Sequence, residues 1–302
     1  MTGDRPLLGI LLMTGFAAIA PGMDAFAKLA GEAIPVGQIL AFRFGIQTLV
    51  LVPLALGLGA LVRQSGKAIL LHAVRAALIL AATGCFFSAL RFMPMADAIA
   101  IFFVEPFILT LLGAVFLGET IGWRRLLACA IGFAGALLVI RPSFGDLGAI
   151  ALLPLATAVF FALYMVLTRK VAKALHPVAL QAWTALAAAV LILPLLAVFE
   201  GSGIQPLDAV MPQGAYWAFL VGVGATATLS HLLLSGALRF APAATIAPLQ
   251  YLEIVSATLL GLMLFGDFPD RQTLIGIAVI VTSGIYVFLR ERDLGRRPAP
   301  PP

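Results

Sequence analysis

A long internal repeat constrains this chain more than any other feature. The segment 239–267 repeats the segment 91–119 without a gap, at an offset of 148 residues (239 − 91). Both segments are mostly apolar and exceed the roughly 20 residues that a helix needs to cross a bilayer. Each carries a glutamate near its middle, Glu105 in the first copy and Glu253 in the second. We therefore expect a duplicated membrane unit with an acidic residue at the same depth in each copy.

The composition indicates an all-α integral membrane protein. Hydrophobic residues make up 62% of the chain and charged residues 11%, with a mean hydropathy of +1.09, whereas a soluble domain carries about 25% charged residues. The formal charge of +5 does not indicate nucleic acid as a partner, because the basic residues lie in short loops, where membrane topology requires them. Cys85 and Cys129 lie inside apolar segments. No disulfide, metal site or cofactor is expected.

Ten apolar stretches of spanning length are predicted, five in each half of the chain. They are 7–30, 35–57, 71–92, 95–117, 122–140, 147–169, 177–199, 214–238, 242–266 and 272–290. Because five is an odd number, the second copy must enter the membrane from the opposite side, so the two repeats are inverted. We place the first repeat at 1–143, the second at 144–292, and a disordered cytoplasmic tail at 293–302.

The positive charges predict the orientation. With the N-terminus inside, fourteen of the nineteen lysines and arginines fall on the cytoplasmic side and four fall outside, while Arg43 lies within the second span. Cytoplasmic loops carry the excess of basic residues in membrane proteins. Both termini are therefore predicted to be cytoplasmic.

The two repeated glutamates mark the first candidate site. A charge at the bilayer centre costs about 2.5–3.5 kcal/mol on insertion scales, so a partner or a function is expected for it. Helical spacing places Asp97 and Glu105 on one face of the fourth span, and Gln250 beside Glu253 on the ninth. Two interpretations stay open. The glutamates either bind substrate or protons, or each bonds a neighbouring helix at a structural kink.

Prolines and an aromatic residue lie beside the glutamates. Pro106 and Pro248 each remove a backbone donor and predict a break in their helices. Tyr251 lies deep in its span and is expected to line a cavity. His231, well inside the eighth span, could relay a proton to Glu253 or stack on an aromatic solute, with a packing histidine as the alternative. The predicted substrate- or proton-binding residues are Glu253, Gln250, Tyr251, Glu105 and His231.

A second charged group lies nearer the predicted outer side. Asp24 and Lys28 stand four residues apart on the first span, in the order that favours an ion pair. Arg43 lies at a similar depth on the second span and is a second possible partner for Asp24. These three residues form either an outer gate that binds an anionic group or an internal ion pair that lets both helices insert. Lys28 alone, at a helix end, is expected to extend its amine to the interface.

Soluble-enzyme motifs are absent from the sequence. It contains no GxxxxGK[ST], GxSxG or HExxH pattern and no pair of nearby histidines. The chain is not expected to be an enzyme, although an intramembrane enzyme or a sensor remains a remote alternative.

Several motifs carry a family resemblance that covers the whole chain. They are MDAFAK at 23–28, FRF at 42–44, LGE at 117–119, FGD at 265–267, PLQYLEI at 248–254 and FPD at 268–270. With these motifs and ten predicted spans, the chain resembles the drug/metabolite transporter superfamily, in its branch with two EamA-type repeats. The last two motifs are also similar to those of S-adenosylmethionine and riboflavin carriers.

The resemblance implies a secondary active transporter in the bacterial inner membrane. Its partners would be a small-molecule substrate and the lipid bilayer, with a central cavity between the repeats and alternating access. An S-adenosylmethionine- or riboflavin-like solute is the first expectation, and an exporter of amino acids or drugs is the alternative. Proton coupling, and a monomeric or homodimeric state, remain open.

Overall fold

A computed structural model describes residues 5–61, 63–93, 95–119, 122–140, 148–265 and 270–295. Every regular element in these ranges is helical, as the composition predicts. The α-helices are α1 (Pro6–Ala30), α2 (Val36–Gly57), α3 (Gly66–Ala89), α4 (Met95–Phe102), α5 (Glu105–Leu117), α6 (Trp123–Ile140), α7 (Leu152–Ala172), α8 (Pro177–Phe199), α9 (Tyr216–Phe240), α10 (Ala243–Ile246), α11 (Leu252–Phe265) and α12 (Arg271–Gly295). Short 3₁₀ segments, Gly148–Ala151 and Ala247–Tyr251, precede α7 and α11.

Eight stretches of the described chain are long and apolar enough to cross a membrane. The fourth and fifth predicted spans, 95–117 and 122–140, instead contain shorter apolar helices, Glu105–Leu117 and Leu126–Leu138. Many large apolar side chains point outwards, among them Leu49, Val115 and Val198, which are 76%, 67% and 76% exposed. A soluble monomer rarely exposes so much contiguous apolar surface, and lipid is the solvent that suits it. The chain is an integral multi-pass membrane protein.

The end of the chain differs from the prediction. The tail was expected to begin at residue 293, yet α12 continues through Gly295. The polar residues Arg290–Asp293 contain no helix breaker, so the helix runs on until it reaches a glycine. The remainder of the predicted tail, 296–302, lies outside the described residues.

The repeated arginines Arg91 and Arg239 have matching contacts. Nη2 of Arg91 donates to the carbonyl oxygens of Gly31 and Ile34, both at 3.2 Å, just after the end of α1. Nη1 of Arg239 donates to the carbonyl oxygen of Leu175 at 2.6 Å, just after the end of α7. Each arginine thus satisfies carbonyl groups left free at the end of the first long helix of its half. We call the end of the bundle where α1 and α3 finish the Arg91 end.

The opposite end of the bundle, where α5, α7 and α9 finish, is called the Glu119 end. There the backbone N–H of Arg5, just before α1, donates to the carbonyl oxygen of Phe240 at 2.8 Å. Nη1 of Arg169, near the end of α7, donates to the carbonyl oxygen of Leu238, also at 2.8 Å. Therefore α1 begins where α7 finishes, and these two matching helices run in opposite directions.

The two halves pack against each other more than within themselves. The closest helix pairs are α1 with α9, α3 with α7, α2 with α8, and α6 with α12. Each pair joins one helix from each half, and the pairs are reciprocal. Small residues permit close approach: a Cβ added to Gly9 of α1 would lie 2.4 Å from the Cβ of Ala241. The buried core therefore lies between the halves.

Candidate functional site

A cavity lies between the halves, from the middle of the bundle toward the Arg91 end. The empty space within it, including the part that is open to the surroundings, is about 780 Å³. Helices α1, α2, α3, α4, α7, α9 and α11 all contribute to its lining. The polar and charged lining residues are Asp24, Arg43, Thr83, Thr157, Ser230, His231 and Glu253.

Breaks in two helices shape this cavity. One predicted span separates into α4 and α5 at Phe103 and Val104, and the matching span passes through the 3₁₀ segment Ala247–Tyr251. Pro106 and Pro248 lie at or just after these breaks, as the sequence predicts, because a proline removes a backbone donor. Irregular backbone at membrane depth is tolerated where protein buries it or where it lines a cavity.

One side of the cavity is acidic. The carboxylates of Asp24 on α1 and Glu253 on α11 both line it and interact electrostatically with each other. Both side chains are half-buried. Within the described part of the chain, neither accepts a hydrogen bond nor forms an ion pair. We call Asp24 and Glu253 the acidic side.

Another part of the lining carries a buried guanidinium. Nη1 of Arg43 donates to Oγ1 of Thr83, and Nη2 lies 2.7 Å from Nε2 of His231. Arginine can only donate, so Nε2 of His231 accepts and the ring proton sits on Nδ1 of a neutral imidazole. The guanidinium also lies 4.8 Å from the ring centre of Phe44. Arg43 is 1% exposed, and its Nε–H has no partner among the described residues. We call Arg43 and His231 the basic side.

Aromatic rings form a large part of the remaining lining. The phenylalanines are Phe16, Phe86, Phe87, Phe102, Phe103 and Phe161. Phe102 is central to this group, with ring centres 5.9 Å from Phe86 and 5.8 Å from Phe161, both edge to face. Such contacts fix the rings relative to one another and present apolar faces and edges to a solute.

The repeated glutamate of the first half lies behind this lining. Oε2 of Glu105 accepts a hydrogen bond of 2.6 Å from Nε2 of Gln250, which belongs to the other broken helix. Both side chains are fully buried, and the second oxygen of Glu105 and the amide oxygen of Gln250 have no partner among the described residues. The two broken helices meet through Glu105 and Gln250, while Glu253 faces the cavity.

The expected ion pairs of Asp24 are not formed. Arg43 interacts with Asp24 electrostatically, but its hydrogen bonds go to Thr83 and His231. Lys28 is exposed in the last turn of α1 and forms no ion pair with Asp24. The sequence spacing suggested partners on the same or the adjacent helix, whereas packing brings α3 and α9 to Arg43.

Tyr251 does not line the cavity, contrary to expectation. Its hydroxyl donates to the carbonyl oxygen of Phe103 at 3.1 Å, and its ring packs against Phe103 and Gly132. The 3₁₀ segment has three residues per turn, so it rotates Tyr251 away from the direction that an α-helical count assigns. The break before Glu105 likewise ends the continuous helical face that was expected to start at Asp97, whose side chain lies outside the described set.

A second buried polar group was missed by sequence reasoning. Arg75 is fully buried, donates from Nε and Nη2 to Oγ1 of Thr168 at 3.2 and 3.1 Å, and lies 5.2 Å from the ring centre of Tyr164. Gln181 donates to the hydroxyl of Tyr164 at 2.9 Å and to the carbonyl oxygen of His231 at 3.2 Å. Polar contacts thus continue from the basic side of the cavity toward Arg75. A charge inside an apolar span was the available signal.

Contacts between the halves close the Glu119 end. Oε1 and Oε2 of Glu119 accept from the backbone N–H groups of Ala243 and Ala244, both at 3.0 Å. Nε of Arg169 lies 3.6 Å from Oε1 of Glu119. The carboxylate therefore caps the first turn of α10, where free N–H groups and the helix dipole favour an anion. The LGE motif contained this residue, but the sequence did not reveal its partner.

Comparison with known proteins identifies the family. The sequence profile of the EamA-like transporter family matches residues 7–141 and again residues 148–289. The chain belongs to the EamA-like transporter family. This family forms part of the drug/metabolite transporter superfamily, as the sequence motifs predicted.

Named relatives of this EamA-family chain are transporters. An S-adenosylmethionine uptake transporter of Rickettsia felis is 24% identical over 269 residues, covering 89% of this chain and 88% of the relative. A pseudopaline exporter of Pseudomonas aeruginosa is 29% identical over 280 residues, covering 92% and 94%. A riboflavin transporter of Rhizobium johnstonii is 27% identical over 228 residues, covering 76% and 73%. Neither the family nor these relatives are enzymes, in agreement with the prediction.

A solved crystal structure shares the fold of this family member. It has a TM-score of 0.77 at 22% identity, with 94% of this chain and 98% of that chain covered. At this identity the likeness concerns the fold alone.

Proposed function

We propose that this protein is a secondary active transporter that moves a small organic metabolite across the bacterial inner membrane by alternating access. The arrangement would be ten spans in two inverted repeats, with both termini cytoplasmic. One observation carries the proposal: partnerless charges line a cavity between the halves at mid-depth, beside two broken helices. Substrate sites at the midplane beside interrupted helices are typical of secondary transporters built from repeats.

The closed end supports alternating access in particular. The cavity extends toward the Arg91 end, while contacts through Glu119 and Arg169 join the halves at the other end. A conformation with access from the Glu119 end would need those contacts to part. Both halves would then rock around a site that stays at the centre.

The relatives narrow the choice of solute. An S-adenosylmethionine-like or riboflavin-like metabolite is the first candidate, since proteins with those named activities match most of this chain. An exporter is the second candidate, because the pseudopaline exporter matches at slightly higher identity over a slightly longer stretch. The direction of net transport would follow the gradient that drives it.

Proteoliposome flux tests the proposal. Purified protein is reconstituted, and uptake of radiolabelled S-adenosylmethionine and of riboflavin is measured with and without an imposed pH gradient. We expect one of them to cross faster than in protein-free vesicles. Glu253→Gln should keep the fold, since the amide is nearly isosteric, and should lose gradient-driven accumulation. Glu200→Gln, an exposed acid in the turn after α8, is the matched control.

The outcomes separate the alternatives. Chemical conversion of a solute without movement would indicate an intramembrane enzyme and contradict the proposal. Normal gradient-driven uptake by Glu253→Gln would remove Glu253 from the mechanism. Loss of accumulation with solute exchange intact would assign it to proton coupling rather than to solute binding.

A further inference from the structure

We propose that the cavity binds a solute with separated charges on an aromatic body, with its anionic group at Arg43 and its cationic group between Asp24 and Glu253. The inference rests on the proposed function and names the class of solute and its orientation.

The anionic end follows from the hydrogen bonding of Arg43. Its guanidinium is buried, and Thr83 and His231, its two hydrogen-bond partners, are neutral. Its Nε–H is left without a partner among the described residues, in a side chain that lines the cavity. A buried guanidinium with neutral acceptors alone is costly, so an entering carboxylate would supply both a counter-charge and the missing acceptor.

The cationic end follows from the acidic side. Asp24 and Glu253 line the same space and interact electrostatically, yet neither accepts a hydrogen bond in the described part of the chain. Two like charges close together in a poorly solvated space repel each other more strongly than in water. A cationic group placed between them would relieve that repulsion and give both carboxylates a partner.

No direct contact joins the two charged sides among the described residues. Asp24 and Arg43 attract each other electrostatically but form no ion pair at contact distance. A single solute with charges at both ends can therefore bridge them.

The phenylalanine rings of the lining indicate what kind of body the solute has. Six phenylalanines contribute to the apolar lining, with Phe102 contacting both Phe86 and Phe161 edge to face. Aromatic faces stack with flat rings and also attract cations. The charged ends and this lining together favour an aromatic solute that carries both a carboxylate and a cationic centre separated from it.

Other solute classes fit less well. A neutral flavin would leave Arg43 without a charged partner, and a simple anion would leave the acidic side without a cation. Mismatched charge of this kind selects against wrong ligands.

Calorimetry with three matched probes tests the assignment. S-adenosylmethionine carries a carboxylate, an ammonium beside it, a sulfonium separated from both, and an aromatic base. Its decarboxylated form lacks the carboxylate, and S-adenosylhomocysteine lacks the sulfonium, which is the cation assigned to the acidic side. The detergent-solubilised protein should bind the full compound roughly 10- to 100-fold more tightly than either analogue, the range expected for hydrogen bonds to charged groups. Riboflavin serves as the neutral probe and should bind weakly.

Variants then assign each end of the solute. Arg43→Gln should weaken S-adenosylmethionine but leave its decarboxylated form unchanged. Asp24→Asn and Glu253→Gln should weaken S-adenosylmethionine and leave S-adenosylhomocysteine nearly unchanged. Thr228→Ala is the matched control, because this buried hydroxyl bonds only the preceding turn of α9 and does not line the cavity. Melting curves confirm folding, and Arg43→Lys, which keeps the charge, should retain the preference for the carboxylate.

Several results would overturn the inference. Equal weakening of S-adenosylmethionine and its decarboxylated form by both Arg43 variants would make Arg43 structural. Binding of riboflavin but not of S-adenosylmethionine, or of none of the four compounds, would rule out recognition of a charged solute by the acidic and basic sides of the cavity. Riboflavin flux in vesicles would in that case still support the transporter function, so the two proposals fail separately.

Discussion

Gln250 and Glu105 join the two halves of the protein at the breaks in their broken helices, with Nε2 and Oε2 2.6 Å apart and both side chains fully buried. They occupy different positions in their repeats, so the contact is not a symmetric pair. The carboxylate that matches Glu105 in the second half, Glu253, faces the cavity. Of the two matching glutamates, Glu105 therefore stabilises the contact between the broken helices, and Glu253 lines the cavity.

Replacing Gln250 should cost stability. Gln250→Ala removes the one donor that Glu105 has among the described residues, which should lower the free energy of unfolding by about 1–3 kcal/mol. Glu105→Gln should cost less, since the amide oxygen still accepts from Gln250. Unfolding in detergent micelles measures both. Thr282→Ala, an exposed hydroxyl bonded only to its own helix, is the control. Equal losses for the two variants would contradict the hydrogen-bond account.

Asp24→Asn should leave stability unchanged or raise it. Asp24 has no hydrogen bond or ion pair to lose in the described structure. The substitution removes the cost of burying a carboxylate and the repulsion with Glu253, which together oppose the loss of the electrostatic attraction to Arg43. The expected melting temperature is equal to or above that of the wild type. A drop of several degrees would show that Asp24 pairs with Arg43 in the folded state after all.

Arg75 and Arg169 should respond in opposite ways to loss of their charge. Arg75 is buried among neutral partners, so Arg75→Met should keep or raise the free energy of unfolding, because no counter-charge is left behind. Arg169→Met leaves Glu119 without its nearby cation and Leu238 without a donor, so it should destabilise. Chemical denaturation compares the pair. A larger loss of unfolding free energy for Arg75→Met than for Arg169→Met would contradict both expectations.

Glu119→Ala should shift the protein toward opening at the Glu119 end. The substitution removes the acceptor for the N–H groups of Ala243 and Ala244, and so weakens one conformation relative to another. Single cysteines report the shift in a background without Cys85 and Cys129. A thiol at Ser235 should react faster in Glu119→Ala, and one at Ala20, in the cavity, more slowly. Faster reaction at both sites would indicate general loosening instead.

The orientation can be tested from outside the cell. The asymmetry of basic residues predicts that a cysteine at Asp270, which is exposed just before α12, is labelled by an impermeant reagent in intact cells. A cysteine at Lys173, just after α7, should be protected until the membrane is opened. The reverse pattern would invert the topology.

Apolar length and internal repetition were enough to predict a duplicated helical membrane protein, and the prolines predicted the two helix breaks. Of the ten predicted spans, eight stretches of the described chain are long enough to cross a membrane, and the fourth and fifth contain shorter apolar helices. An apolar span can be recognised from about 20 consecutive residues of its own sequence. Pro106 and Pro248 likewise break their helices locally, because each removes a backbone donor. Side-chain partners were less predictable. His231 and Thr83 reach Arg43 from helices far along the chain, and the 3₁₀ segment turns Tyr251 away from the cavity. Which face of a span points inward depends on its neighbours, and a single sequence does not state them.

The packing of α1 against α9 and of α3 against α7 has a consequence for synthesis. When the ribosome finishes the first half, α1 and α3 are already made, but the helices that bury their faces do not yet exist. The half-made chain must hold its glycine-rich surfaces and buried charges in lipid, or beside other membrane proteins, until α9 emerges. Native packing is then a late event that depends on contacts distant in sequence, which form slowly.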